Sequence, residues 1–362
     1  MVDLLNNAIS FFAVFETVVG VPGNILSAYL IITDSTTRIT TRLFMVFLSI
    51  FDLAMVCVGP PKYFLQLHYN FTMTHYSEAS CYGVNIMHSF VSDMAVYALC
   101  GVAVERFIVV AFPASSQRII TVKTTLISFA MLSFIFCTKN FSFNYSIFEY
   151  RNNSCLPRQG MDGLFYVDFV VFAVIPYLIL LPCNLFIFVT LRKRRILLKN
   201  TINGSSDAST RAMRESMVMQ IKQQNMKDNY QPKQEGSKRK KKKPENVVKV
   251  LMGLTFAHIL FTLPATIIRL LILHGFTNET IDKVKSWLTL LIYTNNATTF
   301  FVYLITLSNF RKRVFSAFHF LNKSISLCGN KHDNDNAENF NKNHQNGNKT
   351  GADHNEITIN KP

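Results

Sequence analysis

Apolar residues in this chain come in long runs, without the alternation of a sheet or the stripe of a surface helix. Seven stretches, 8–33, 43–66, 83–104, 122–138, 164–191, 246–273 and 285–307, are almost continuously hydrophobic. Each approaches or exceeds the ~20 residues that a helix needs to cross a bilayer core. Buried helices of a soluble protein would keep a polar stripe, and these segments mostly lack one. The pattern predicts an all-α fold, a seven-transmembrane helix bundle occupying residues 8–321. The fourth run is the weakest, with 17 residues ending at Lys139. Residues 1–7 form a short N-terminus with no basic region or small-residue cleavage site, so span 1 is expected to stay as an uncleaved anchor.

Polar segments change character after span 5. Residues 192–249 hold 17 Lys and Arg against 5 Asp and Glu, and the part at about 195–244, with its run SKRKKKKPE, is expected to be a disordered basic loop. Beyond span 7, SNFRKRVFSAFHFL (308–321) places Phe310, Val314, Phe318 and Leu321 at helical spacing among basic residues, the pattern of a short amphipathic helix on the membrane surface. Residues 322–362 are expected to be a disordered tail, with ten Asn in the last 34 residues, too poor in apolar groups to fold.

Composition agrees with a membrane protein: 49 % hydrophobic, 32 Phe, only 16 % charged, net charge +15. Because basic loops stay cytoplasmic, the span 5–6 loop and the C-terminus are placed inside and the N-terminus outside, as expected of a multi-pass plasma-membrane protein. A basic run beside the inner leaflet points to anionic lipids as partners, about 1 kcal/mol per residue near the surface, and not to nucleic acid. Glycosylation sequons begin at Asn70, Asn152 and Asn278 in loops placed outside, and at Asn140 and Asn144 close by. Of seven cysteines, Cys57, Cys100, Cys137 and Cys183 lie in spans as small packing residues. Cys81 and Cys155 occupy outside loops, where a disulfide is permitted. Cys328 is a palmitoylation candidate.

Several polar residues lie within the spans: Asn24, Asp52, Asn295 and Asn296. Each is costly in lipid and should face the bundle interior. Glu105 and Arg106 sit in the apolar run YALCGVAVERFIVVAF. Counting 25 residues back to Cys81 puts about 37 Å of helix between that cysteine and the arginine, so the pair belongs at the inner mouth and not in mid-membrane.

The order and spacing of these features resemble the rhodopsin-like (class A) G-protein-coupled receptors over essentially all of residues 8–321. GNILSAYLI resembles that family's span 1 motif and LSIFDL its span 2 motif, giving Asp52. CYG…VERF resembles its span 3 cysteine and its Asp/Glu-Arg-Tyr triplet. Pro176 and Pro264 resemble the helix-breaking prolines of spans 5 and 6, and Tyr303 the end of span 7. The chain departs from the pattern as a divergent member. Span 4 lacks the tryptophan, Phe261-Thr262-Leu263-Pro264 stands for Cys-Trp-x-Pro, Thr299-Phe300-Phe301-Val302-Tyr303 stands for Asn-Pro-x-x-Tyr, and Asn184 stands where tyrosine is common.

The resemblance implies a receptor that passes an extracellular signal to a heterotrimeric G protein, with no enzymatic activity. Glu105 would neutralise Arg106 at rest, and Arg106, beside Tyr303, would meet the Gα subunit when span 6 swings out. Asp52, Asn24, Asn295 and Asn296 would form either a pocket for a sodium ion or a self-satisfied polar network. Amine receptors carry an Asp eighteen residues before the arginine, where this chain has His88. Tyr293 stands where an opsin has its lysine, so no retinal is expected. Lys62, His88, Asp168, Arg269 and Tyr293 remain as ligand-pocket candidates, Arg269 being suited to an anionic group. A short peptide ligand is the leading expectation, a small chemosensory or lipid ligand the next. A transporter or channel would show internal repeats and paired broken helices, and none is evident. A membrane enzyme would need convergent nucleophile or metal-ligand groups, which the spans do not display.

Overall fold

The computed structural model describes residues 2–35, 37–158, 160–202, 245–274, 279–316 and 319. Seven helices are long and apolar enough to cross a membrane. They are α1 (Val2–Ile32), α2 (Ile39–Tyr69), α3 (Glu78–Ala111), α4 (Val122–Ile147), α5, α6 (Glu245–Leu273) and α7 (Glu279–Thr306). Helix α5 begins as Asp162–Phe169, passes through a π-helical turn at Val170–Val174 and continues as Ile175–Ile202.

The ends have local causes. Ser77 and Thr121 each accept from the backbone three residues on, while Ser80 and Thr124 answer with their hydroxyls, so α3 and α4 start on capping boxes. Asn70, in the left-handed region at φ 49°, closes α2.

Span 4 is longer than its apolar run. Helix α4 continues to Ile147, and Lys139 is a helical residue, not the start of a loop. The run stops early because the next turns carry inward-facing polar groups: Asn140 and Asn144 are buried. Neither of these two sequons is therefore open to a glycan.

The fold is not purely helical either. Phe148–Arg151 (β1) and Ser154–Pro157 (β2) pair antiparallel, with Tyr150 opposite Cys155. Asn152 and Asn153 both adopt positive φ, 51° and 57°, as a two-residue hairpin turn of the twist-matched kind requires. The Cys81–Cys155 disulfide forms and ties β2 to the first turn of α3.

Helix α3 is the most buried of the seven and packs on α2, α4, α5 and α6. Helix α1 lies against α2 and α7, and α7 against α6. Near the disulfide end the core is built from Ile9, Ala13, Met55, Val91, Leu290 and Tyr293. Phe11, Phe134, Leu178, Phe256 and Ile305 are exposed, as expected where the outer surface meets lipid tails and not water. Of the cysteines expected to pack, only Cys100 is buried, while Cys57 and Cys137 are exposed.

Pro264 does not break its helix: α6 runs through it, as α1 does through Pro22 and α2 through Pro60 and Pro61. Helices in membranes tolerate proline where neighbours re-satisfy the released carbonyl. Pro176 differs, lying just past the π-helical turn, so an irregularity does occur at that proline.

A separate unit begins at Ser308. Residues 308–316 are helical, with Phe310 and Val314 buried and Arg311, Lys312 and Phe315 exposed, the alternation expected of an amphipathic helix. Phe318, Leu321 and Cys328 lie outside the described residues, as do Asn278 and the basic stretch 203–244.

Candidate functional site

Because α3 is one unbroken helix, Cys81 and Arg106 mark its opposite ends. At the arginine end the expected partnership of Glu105 and Arg106 is present but indirect. The closest charged atoms, Arg106 Nη2 and Glu105 Oε2, are 3.8 Å apart, with the side chains 11 % and 1 % exposed. The stronger bonds run through α2. Thr40 Oγ1 donates to Glu105 Oε1 at 2.6 Å and Thr41 Oγ1 donates to the same oxygen at 2.9 Å. Arg106 Nη2 in turn donates to Thr41 Oγ1. Thr41 thus bridges both members of the pair. Arg38, just before α2, donates to the backbone oxygens of Ser116 and Ile120 at 3.4 and 3.1 Å, fastening the chain after α3 beside this cage. Threonine is too common at helix starts for sequence reading to single out Thr40 and Thr41.

In the middle of the bundle the four expected polar residues come to one layer of α1, α2 and α7. Asn24 Nδ2 donates to the Asn296 backbone oxygen at 3.0 Å, and Asn295 Nδ2 donates to Asn296 Oδ1 at 3.5 Å. Asp52 is reached by a residue outside the expected set: Thr299 Oγ1 donates to its Oδ2 at 2.6 Å. Thr299 occupies the first position of the altered span 7 motif, so a hydroxyl serves where the motif it resembles has an amide. Tyr303, one helical turn further, is fully buried with its hydroxyl toward Ser49 of α2. A second acid was missed altogether. Glu16 of α1 is buried, and Thr294 of α7 donates to its Oε1. Asn24 Oδ1 and Glu16 Oε2 are buried without a hydrogen-bond partner among the described residues.

Toward the disulfide end a cavity of about 40 Å³ opens between α3, α5 and α7, with His88, Asp93, Asp168 and Tyr293 in its lining. Three ligand-pocket candidates, His88, Asp168 and Tyr293, are therefore brought together. His88 Nε2 is 2.9 Å from the Tyr293 hydroxyl. Lys62 does not line the cavity; its ammonium stands 5.6 Å from the Tyr63 ring centre. The side chain of Arg269 lies outside the described residues.

The cavity's main electrostatic feature was not foreseen. Lys139 Nζ is 2.9 Å from Asp93 Oδ2 and 2.6 Å from Asp168 Oδ1, which joins α3, α4 and α5 through one ammonium. Asn140 Nδ2 also donates to Asp93 Oδ2, at 2.8 Å. Asp93 and Asp168 within two of the apolar runs, with Lys139 just past the end of a third, were the available signal.

Polar contacts join helices α5 and α6. Asn184 Nδ2 donates to Thr255 Oγ1 at 2.8 Å, and the Tyr177 and Thr262 hydroxyls are 2.7 Å apart. Asn184 and Thr262 are two of the departures from the resembled pattern, and here they bond neighbouring helices directly.

A caged arginine thus lies at one end of the bundle and a polar cavity toward the other. Residues 23–303 match the profile of the 7 transmembrane receptor (rhodopsin family), and the chain belongs to that family. It is thus a multi-pass membrane protein of the G-protein-coupled receptor class, whose members are receptors and not enzymes, with an extracellular ligand and a G protein as partners in general terms. Compared directly with curated protein sequences, the chain has no significant match.

Proposed function

We propose that this receptor carries the signal of a short extracellular peptide to a heterotrimeric G protein, with the N-terminus and the disulfide end outside the cell and Arg106 at the cytoplasmic mouth. The observation that carries the reading is the cage of Thr40, Thr41 and Glu105 around Arg106. It is a resting state in which the arginine is turned toward α2 and away from any partner. Displacement of α6 from α3 lets Arg106 face inward toward the Gα subunit, with Tyr303 as a neighbour, and a ligand shifts the balance by binding the open form better. The cavity at His88, Asp93, Asp168 and Tyr293 is the site such a ligand reaches. A small chemosensory or lipid ligand is the second reading.

Asp52 and the buried Asn24 Oδ1 are oxygen acceptors of the kind a sodium ion takes, with Asn295 and Asn296 alongside. Asn70, Asn152 and Asn278 are the glycosylation positions, the first two exposed, and the basic loop lies on anionic inner-leaflet lipid.

The test is a cellular screen of short peptides and small metabolites with calcium and cAMP readouts, run in parallel on Arg106→Ala. A hit is expected to lose its G-protein response in the variant while the receptor still reaches the surface. Equal responses in both would show that the proposed coupling is wrong, and ion flux independent of G protein would favour a channel.

Thr41→Val keeps the shape of the side chain and removes its hydrogen bonds to both charged groups, each worth about 1.5–3 kcal/mol. Basal signalling is expected to rise at equal surface expression. A variant as silent as the parent would leave the cage without a role in holding the resting state.

A further inference from the structure

Asp93 of α3 and Asp168 of α5 line one cavity, and one lysine, Lys139 of α4, contacts both. One positive charge against two negative leaves the trio one positive charge short, at a depth where an unbalanced charge is costly. Among the described lining residues, Ser89, Ser92, Thr289 and Tyr293 are neutral, and His88 turns its Nε2 to the Tyr293 hydroxyl. The two acids are not equivalent. Asp93 is 3 % exposed at its side chain and its Oδ2 meets both Lys139 and Asn140. Asp168 is 36 % exposed and has Lys139 as its ion-pair partner.

The geometry points to a binding site for a cationic group, an ammonium or guanidinium borne by the ligand, with Asp168 as its counter-ion. This rests on the reading of the cavity as the ligand site, and it names the chemistry that site selects. When the cation takes Asp168, Lys139 settles on Asp93, and two positive charges then balance two negative ones. The size agrees: about 40 Å³ suits a charged head of a few heavy atoms, with the rest of the ligand lying above it. The amino terminus of a peptide, or a Lys or Arg side chain, has this form. The same exchange releases α5 from α4, because the Lys139–Asp168 bond is given up as the ligand arrives.

The probe is guanidinium, with urea as its neutral isostere. Both are titrated in the low millimolar range at constant ionic strength into the detergent-solubilised full chain, and the melting temperature is read. Guanidinium is expected to raise the melting temperature and urea to leave it unchanged. In Asp168→Asn the guanidinium midpoint should weaken by at least about tenfold, and in Lys139→Met, where no ammonium competes with the cation for Asp168, it should tighten by about tenfold. Identical responses to guanidinium and urea in the parent chain would overturn the proposal, as would an unchanged guanidinium midpoint in Asp168→Asn or an equal rise with sodium chloride alone. Arg106→Ala should retain the guanidinium shift, so failure of the G-protein reading and failure of the cation site are separate results.

Discussion

Lys139→Met is expected to destabilise the receptor by about 3–5 kcal/mol, the cost of leaving a buried charge without its partner. Lys139 holds two carboxylates at 2.9 and 2.6 Å, and methionine fills a similar volume while supplying no charge. Asp93, buried and ion-paired to Lys139, should account for most of the loss, while Asp168 is more than a third exposed and can turn toward the open cavity. The double variant Asp93→Asn/Lys139→Met should therefore recover most of the parent's stability, since an asparagine at 93 keeps an oxygen to accept from Asn140. Thermal melts of the parent, both single variants and the double variant give the coupling directly. If Lys139→Met melts with the parent, the ion trio contributes nothing to the bundle.

The second large effect is steric. Gly59 of α2 lies against the ring of Tyr293, and a Cβ added there would meet Cε1, Cζ and Cδ1 of that ring. Tyr293 has little freedom to retreat. It is 1 % exposed, edge-on to Tyr63 and bonded to His88. Overpacking of this kind costs about 1–3 kcal/mol, so Gly59→Ala should lower surface expression and the melting temperature, and Gly59→Val should do so further. It should also push the Tyr293 hydroxyl off His88 and change the cavity. Gly59→Ala combined with Tyr293→Leu, which removes the opposing ring, is expected to restore folding. A Gly59→Val receptor that folds and melts normally would contradict the close approach.

These two predictions concern residues of different legibility. Tyr293 and Asp168 stood out as polar groups in the upper part of the bundle, and Glu105, Arg106 and Cys81 were placed by counting along a helix of known rise. The seven spans were readable because a run of some twenty apolar residues matches the thickness of a bilayer core and little else in a protein. Lys139 was misplaced for a physical reason: a charge after a short apolar run looks like the end of a span, and only contact with Asp93 and Asp168 shows that the helix carries it inward. Asp93 and Glu16 were hidden because a single acid in an apolar run says nothing of its partner. Thr41 was beyond reach, and Thr299 showed only as a motif departure, since a threonine's value here lies wholly in what stands opposite it. The Tyr293 approach to Gly59 joins residues 234 positions apart, a distance that no local pattern spans.

The π-helical turn at Val170–Val174 divides α5 into two half-helices with independent bearings. Each residue advances a helix by about 100°, and a π turn accommodates one more residue than the regular spiral would hold. Above the turn Asp168 is aimed at Lys139 of α4, and below it Tyr177 and Asn184 are aimed at Thr262 and Thr255 of α6. Straightened into a single α-helix, the same sequence would swing one of these sets about 100° off its target. The phase between the upper and lower compass points of α5 is therefore set at one joint, and a shift of that joint by a single residue would re-aim every side chain on one side of it at once.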